Sequence, residues 1–322
     1  MDHAAVSEES RLAHLPITLF GSVMGFAGLA IAVGRFEHVL HTGTALGQPL
    51  MWAVAGWFSA LSLAYGAKTL LHPHHMLEEL ANPVRVNFFP AITISLLLLS
   101  IGFLESHPVT SQWLWSAGAL GHLGFTLYVL RRWVMQDQKL AAFNPAWFIP
   151  VVGTLLVPVA GVAHAPAQVS WFFFSTGIVL WIVLFTIVMN RLIFHGPMPG
   201  KLLPTLFIMM APPAVAFIAW VKLTGGLDAF GHVLYSFALF SALMLLAMAK
   251  DFLRLSFFMS WWAFTFPLAA LLISTLLMHH LEPTGFTLAL AWALLPAVVA
   301  LVGMVALRTG IAASRGEVCV PE

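Results

Sequence analysis

Long apolar stretches separated by short charged segments are the feature that most limits how this chain can fold. Each stretch has about 20 residues, the length at which a helix crosses a ~30 Å hydrocarbon core. Only 8% of the 322 residues are charged and 60% are hydrophobic. Soluble domains carry roughly 25% charged residues, so this composition cannot cover a water-exposed surface. The chain is therefore predicted to be an all-α integral membrane protein.

Ten such stretches follow one another along the chain. The predicted spans cover residues 16–36, 49–71, 86–104, 111–131, 146–163, 169–192, 202–222, 229–249, 256–279 and 285–307. When these spans are threaded in order, every Lys and Arg except Arg35 and Lys222 falls on one side of the membrane. Because Lys and Arg collect in cytoplasmic loops, both termini are predicted to be cytoplasmic.

Proline recurs inside the odd-numbered spans. The third, fifth, seventh and ninth spans carry Pro90, Pro150, Pro212 and Pro267, at spacings of 60, 62 and 55 residues. The first span has Gly21, preceded by Phe20, where the others have proline. Proline kinks a helix, and the carbonyls that it frees are tolerated in lipid only beside other helices or water. The pattern predicts five helical hairpins, with an inner ring of kinked odd helices and an outer ring of straighter even helices.

Ionisable side chains are almost absent from the predicted inner ring. Asp and Glu lie in loops or tails apart from Glu37, near the end of span 1, and no Lys or Arg lies deep in an odd span. Proton relays and cation pathways need such groups, so the pattern favours an anion path flanked by small residues and hydroxyls. The hydroxyls expected to flank it are Ser22, Thr93, Ser95, Thr154, Thr205, Thr265 and Ser274.

Histidines offer two further candidate sites. His122, near the middle of span 4, is either a pH-sensitive group or ligand or a neutral side chain hydrogen-bonded between helices, and the second interpretation is favoured. His72, His74 and His75 could bind a metal, but Pro73 interrupts them and no helical i, i+4 pair is present. A solvated interfacial loop is the favoured interpretation, and no metal or other cofactor is expected.

Four ordered segments resemble one known family. They are NPVRVNFFPAI before span 3, PAWFIPVVG in span 5, LPTLFIMMAPPA in span 7 and SWWAFTFPLAALLIS in span 9. They resemble the tellurite-resistance/dicarboxylate transporter family, which includes bacterial TehA and the plant slow-type anion channels. The resemblance extends over about residues 15 to 308. The short tails, unlike the long tails of the plant channels, argue against kinase control.

The resemblance implies a fold and a gate. It implies ten helices in five hairpins with quasi-fivefold symmetry, kinked odd helices around a central pore, and a homotrimer with one pore in each protomer. The phenylalanine before the ninth-span proline is the gate of that family, and it corresponds here to Phe266. The residues expected to line or kink the pore are Phe20, Gly21, Phe89, Pro90, Pro150, Pro212 and Pro267.

One membrane domain over residues 1–322 is predicted. It comprises a cytoplasmic tail at 1–14, a ten-helix pore domain at 15–308 and a second cytoplasmic tail at 309–322. The first tail is too acidic and polar for a signal peptide. Cys319 is the single cysteine and the net charge is +1, so neither a cysteine metal site nor the basic face that binds nucleic acid is expected.

The leading functional prediction is a channel for small anions such as chloride or nitrate, closed by Phe266, in a bacterial inner membrane and surrounded by lipid. The alternative within transport is a carrier for C4-dicarboxylates or for oxyanions such as tellurite or sulfite. A carrier would be expected to hold a dianion with Arg or Lys at the midplane, which the odd spans lack. An enzyme or haem protein is disfavoured because no carboxylate cluster or facing His pair is predicted. A structural or sensing role in the membrane is a further alternative.

Overall fold

The computed structural model describes residues 11–320, and every regular element in that range is a helix. Residues 1–10 of the predicted N-terminal tail and residues 321–322 of the C-terminal tail lie outside the described range. The last helix continues to Ser314, so it includes the first residues of the segment predicted as the C-terminal tail. The all-α prediction is confirmed.

The even-numbered spans are single, uninterrupted α-helices. Spans 2, 4, 6, 8 and 10 are Gly47–Leu71, Pro108–Met135, Ala167–Phe194, Ala229–Ala247 and Gly285–Ser314. In the apolar windows of spans 2, 6, 8 and 10 only 22% to 33% of the residues are buried, against 61% to 83% in the odd spans. The even spans therefore lie outside and present apolar side chains such as Leu63, Leu120 and Leu243.

The odd-numbered spans each begin as 3-10 helix and continue as α-helix. Span 1 is Ile17–Leu19 and Phe20–Leu40, span 3 is Arg85–Phe88 and Pro90–Phe103, span 7 is Gly200–Met210 and Ala211–Thr224, and span 9 is Met259–Phe264 and Thr265–Leu281. Span 5 is broken further, into Pro145–Phe148, Ile149–Val152, Gly153–Leu156 and Val157–His164.

The prolines lie where the 3-10 segments change to α-helix. Pro90 is the first residue of an α-helical segment, Pro150 and Pro212 are second residues, and Pro267 is the third. A proline is tolerated there because the first N–H groups of an α-helix have no partner within the helix. The irregularities predicted from proline are therefore present as changes of helix type.

Membrane-length helices number nine in the described part of the chain by length and hydropathy. They correspond to every predicted span except the fourth. Span 4 has 28 residues, long enough to cross a bilayer, but it includes Gln112, Ser116 and His122 and is less apolar. The described helices thus support nine to ten spans.

The helices associate as hairpins and as an inner ring. Each odd span contacts the even span that follows it, as in the predicted hairpins. The odd spans also contact one another in the order 1, 3, 5, 7 and 9, and span 9 closes the ring by packing along span 1. Quasi-fivefold symmetry of this ring stays a prediction.

A short helix connects spans 2 and 3, where the sequence pattern around His72, His74 and His75 favours a solvated loop. That prediction is wrong: Pro73–Ala81 is helical, and Pro73 starts the helix instead of breaking it, because proline fits the first helical position. We call it the linker helix. Arg132 of span 4 donates hydrogen bonds to the Leu80 and Ala81 carbonyls at its end.

The linker helix also holds the start of span 1 through a buried ion pair. Glu79 accepts hydrogen bonds from the Lys68 ammonium at 2.8 Å and from the Tyr65 hydroxyl at 2.7 Å. Its other oxygen accepts from the Ile17 N–H at 3.2 Å, and Lys68 donates to the Leu15 carbonyl at 2.7 Å. Lys68 and Glu79 are 1% and 4% exposed, so this network fixes the entry of the chain into the membrane.

Candidate functional site

A cavity of about 80 Å³ lies inside the ring, on the side where the odd spans begin. We call it the inner cavity. Every odd span contributes to its wall, for example through Gly21, Ala91, Phe148, Ala211 and Trp262. Thr18 and Ser260 carry its polar side chains, and no charged side chain of the described residues lines it. The cavity is therefore an apolar chamber at the axis of the ring.

A second cavity, of about 180 Å³, lies on the side where the odd spans end. We call it the outer vestibule. Its lining includes Arg35, His38, Lys222 and His280, and no Asp or Glu of the described residues is among it. It adjoins a wider mouth of about 550 Å³, whose lining shares Arg35 with the vestibule and adds the carboxylates of Glu37 and Glu105.

Three side chains separate the two cavities. Leu156, Val215 and Phe266, from spans 5, 7 and 9, line both the inner cavity and the outer vestibule. Phe266 is the largest of the three and is 7% exposed. The partition between the cavities is thus made of apolar side chains only, and the Phe266 ring is its bulkiest part.

Glycines of span 1 allow span 9 to bring Phe266 to this position. A Cβ built on Gly28 would lie 3.2 Å from Cδ2 of Phe266, and one on Gly25 would lie 2.3 Å from the Thr265 hydroxyl oxygen. Small residues permit such close approach of two membrane helices. The Thr265 hydroxyl in turn donates a 2.7 Å hydrogen bond to the Trp262 carbonyl, which also accepts the Thr265 backbone N–H.

The predicted site residues divide into two groups. Those that line the inner cavity are Gly21, Pro212, Phe266 and Pro267, and those behind its wall are Phe20, Phe89, Pro90 and Pro150. The rings of Phe20 and Phe89 both pack against Tyr65, with centroids 5.9 and 6.3 Å away. Phe88 and Ile149 line the cavity in place of their neighbours Phe89 and Pro150, because successive residues of a helix point in directions about 100° apart.

The hydroxyls expected to flank the path do not line either cavity. Each donates a hydrogen bond to a carbonyl three or four residues earlier in its own span. The donors are Ser22, Thr93, Ser95, Thr154, Thr205, Thr265 and Ser274. Polar groups in a membrane core must be satisfied within the protein, and these bonds satisfy the hydroxyl donors.

The histidines lie away from the inner cavity. His122 is fully buried, and its Nδ1 lies 2.9 Å from the Thr93 hydroxyl oxygen, so it joins span 4 to span 3. This agrees with the interpretation of a hydrogen-bonded interhelical histidine. His74 and His75 belong to the linker helix, and within residues 11–320 no group of three His, Cys, Asp or Glu side chains could hold a metal ion.

Several residues of this site are not predicted from the sequence. Leu156 and Val215 carry no sequence signal, because they are two apolar residues among many in their spans. Arg35 and Lys222 do have a sequence signal, because they are the two basic residues predicted to lie on the opposite side of the membrane from all the others. The structure brings both to the outer vestibule.

Comparison with known proteins identifies relatives over nearly the whole membrane region. The family described as voltage-dependent anion channel matches residues 14–310. The S-type anion channel SLAH2 of Arabidopsis thaliana is 30% identical over 275 residues, which are 82% of this chain and 53% of SLAH2. The chain therefore spans about half the length of that relative.

Two prokaryotic relatives are covered more fully. An uncharacterized transporter of Methanocaldococcus jannaschii is 26% identical over 298 residues, 85% of this chain and 87% of the relative. A tellurite resistance protein TehA homolog of Haemophilus influenzae is 23% identical over 269 residues, 83% and 82% of the two chains.

Proposed function

Because the chain belongs to the voltage-dependent anion channel family, we propose that it conducts small anions such as chloride or nitrate along the axis of the inner ring. One observation carries the proposal: Phe266, Leu156 and Val215 line both the inner cavity and the outer vestibule. The two cavities form one path if this partition opens. Similarity to the S-type anion channel SLAH2 supports the same conclusion.

The charges along the path favour anions. Arg35 and Lys222 line the outer vestibule, and no carboxylate of the described residues lines the vestibule or the inner cavity. Charges of one sign between low-dielectric walls raise the local concentration of counter-ions. An inner cavity without charged groups then lets an anion pass without holding it.

Phe266 is proposed as the gate. A hydrophobic constriction closes a pore by excluding water as well as by blocking it, and the apolar partition has that composition. Opening requires a rotamer change of the Phe266 ring or a shift of span 9 away from span 1. Because Gly28 of span 1 lies close to the Phe266 ring, a shift between spans 1 and 9 would move the ring directly.

A carrier is the second candidate. It would carry oxyanions such as tellurite or sulfite, or C4-dicarboxylates. Two relatives are named as an uncharacterized transporter and a tellurite resistance protein TehA homolog, which supports transport in general. A carrier must hold its substrate, and dianions are held by Arg or Lys with bidentate geometry. Because the lining of the inner cavity contains neither, the channel is the better-supported proposal.

The assembly and the location are proposed as follows. A single membrane domain, with a pore region at 15–308 and cytoplasmic tails at 1–14 and 309–322, forms homotrimers with one pore in each protomer in a bacterial inner membrane. The basic residues on one side support cytoplasmic termini. Apolar side chains exposed on the even spans support contact with lipid and with neighbouring protomers.

Truncation of the Phe266 ring tests the proposed function. We expect Phe266→Ala to carry nitrate and chloride currents well above those of the wild type in planar bilayers. Phe89→Ala is the matched control, because it removes a buried ring of the same size that lies outside both cavities. Currents of Phe266→Ala no larger than those of the control would contradict the gate.

A further inference from the structure

The outer vestibule holds two cations from different spans. Arg35 comes from span 1 and Lys222 from span 7, and both line a cavity whose inner end is the Phe266 ring. The remaining wall is mostly apolar, with Leu98, Val159 and Ile218 among its residues. Two like charges beside a low-dielectric wall repel each other, and an anion between them removes that repulsion.

Lys222 lacks a counter-ion in direct contact. Within residues 11–320 the structure gives its ammonium no hydrogen-bond acceptor and no ion pair. Arg35 lines the same cavity as Lys222, and Glu105 lines the wider mouth that adjoins it. An ammonium without a protein partner, on a residue that lines the same cavity as a second cation, is suited to bind a small anion.

Arg35, in contrast, has a partner that an anion would need to displace. One of its guanidinium nitrogens lies 3.1 Å from a carboxylate oxygen of Glu105. The Glu105 side chain is 69% exposed, and it follows the end of span 3 at the wide mouth of the vestibule. An exposed pair of this kind is weak, so Glu105 can be replaced at Arg35 by an anion from solution.

Glu37, the other carboxylate of the mouth, is already engaged. It accepts hydrogen bonds from the Leu46 and Gly47 N–H groups at 2.6 and 3.1 Å and from the Thr44 hydroxyl at 2.8 Å. These bonds hold it to the loop between spans 1 and 2. Glu105 is therefore the carboxylate of the mouth that is positioned to compete for Arg35.

We propose that Arg35 and Lys222 form a binding site for one small inorganic anion in the outer vestibule, and that the Glu105 carboxylate competes with this anion for Arg35. The inference rests on the proposed function and adds to it a site at which the anion binds on the outer side of the Phe266 partition. Occupancy of the site sets how conduction depends on the anion concentration on the outer side.

A purely structural role is the main alternative. Lys222 lies in the last turn of its helix, where a cation interacts favourably with the helix dipole and the free carbonyls. In that case Lys222→Gln lowers the melting temperature but leaves the dependence of current on outer anion concentration unchanged. That result overturns the proposed site.

Current measurements in the Phe266→Ala background test the site. We expect Lys222→Gln to raise the outer nitrate concentration for half-maximal current by about fivefold, and Glu105→Gln to lower it by about threefold, as the loss of one exposed charge contact predicts. The dependence on inner nitrate concentration should change less than twofold. Glu282→Gln is the control, because Glu282 pairs with His232 and lines neither the vestibule nor its mouth.

Failure of the site and failure of the proposed function give different results. If Phe266→Ala carries no anion current, the proposed function fails. If it does carry anion current but the Lys222 and Glu105 variants match Glu282→Gln, only the site fails.

A second measurement does not depend on conduction. Crystals of the full chain grown in bromide should show an anomalous peak between Arg35 and Lys222, stronger in Glu105→Gln and lost in Lys222→Gln. Absence of the peak from both the wild type and Glu105→Gln overturns the proposed site.

Discussion

The two cavities on either side of Phe266 differ in size and in charge. The inner cavity has about 80 Å³ and no charged lining among the described residues, whereas the outer vestibule has about 180 Å³ and two cations. The difference suggests that two tasks are separated along one axis. In the proposed channel, the outer vestibule attracts and binds the anion, and the apolar partition controls whether the anion reaches the inner cavity.

The ion pairs at the two ends of span 1 also differ, because one is buried and the other is exposed. Lys68 and Glu79, beside the start of span 1, are buried with their hydrogen bonds satisfied. Arg35 and Glu105, at the outer mouth, are 30% and 69% exposed. A buried pair fixes structure, because removing one partner leaves an uncompensated charge, while an exposed pair exchanges readily with ions. Variants of the two pairs and of the two cavities test this contrast.

Breaking the inner pair should have the largest effect. We expect Lys68→Met to lower the free energy of unfolding by about 3–5 kcal/mol, because Glu79 then stays buried without its cation. Thermal unfolding in detergent measures this effect. The double variant Lys68→Met/Glu79→Gln should recover part of the loss.

The outer pair supplies the comparison for that measurement. Glu105→Gln should change the free energy of unfolding by less than about 1 kcal/mol, since the pair is exposed. Equal destabilisation by Lys68→Met and Glu105→Gln would remove the contrast between a structural inner pair and an exchangeable outer pair.

A charge introduced into the inner cavity should obstruct conduction. Gly21 lines this cavity, and a Cβ there would lie 3.3 Å from the Trp262 Cβ. In the Phe266→Ala background, Gly21→Asp should reduce anion current by about tenfold, which corresponds to a barrier of ~1.4 kcal/mol. Gly21→Asn has nearly the same shape without the charge and should reduce the current less. Equal currents in the two variants would show that charge has no part in the block.

A methyl group at the contact between spans 1 and 9 should open the partition slightly. A Cβ on Gly28 would lie 3.2 Å from the Phe266 ring and 3.0 Å from the Ala269 Cβ, so Gly28→Ala must displace one of them. We expect an anion leak above the wild-type level and below that of Phe266→Ala. Gly56→Ala in span 2 is the control, because a Cβ there meets no atom within 4 Å. A Gly28→Ala current equal to that of the control would mean that the contact does not position the gate.

Much of the fold follows from local sequence patterns. Apolar length predicts the helices, and proline at a common spacing predicts kinks in the odd spans. In the structure these prolines lie where 3-10 helix changes to α-helix. The linker helix is not predicted from the sequence, because Pro73 can either break a helix or begin one. Contacts of this helix with Lys68 of span 2 and Arg132 of span 4 stabilise it in the folded chain. Such contacts join residues far apart in the sequence.

The site is less accessible from sequence than the fold. Phe266 was identified through a resemblance, and its neighbours in the partition, Leu156 and Val215, come from other spans and have no distinguishing pattern. Phe88 rather than Phe89 lines the inner cavity, because a one-residue difference on a helix changes the direction of the side chain. The charge pattern singled out Arg35 and Lys222, but only the folded ring brings them to one cavity.

The reversal potential of the Phe266→Ala variant in a nitrate gradient tests the central claim most directly. With gluconate replacing nitrate on one side of a planar bilayer, we expect a large current that reverses near the nitrate equilibrium potential, while the wild type stays nearly closed. The cation concentration is the same on both sides, so a reversal potential near zero would indicate a cation path. Such a reversal potential, or a current from Phe266→Ala equal to that of the wild type, would contradict the proposed anion channel.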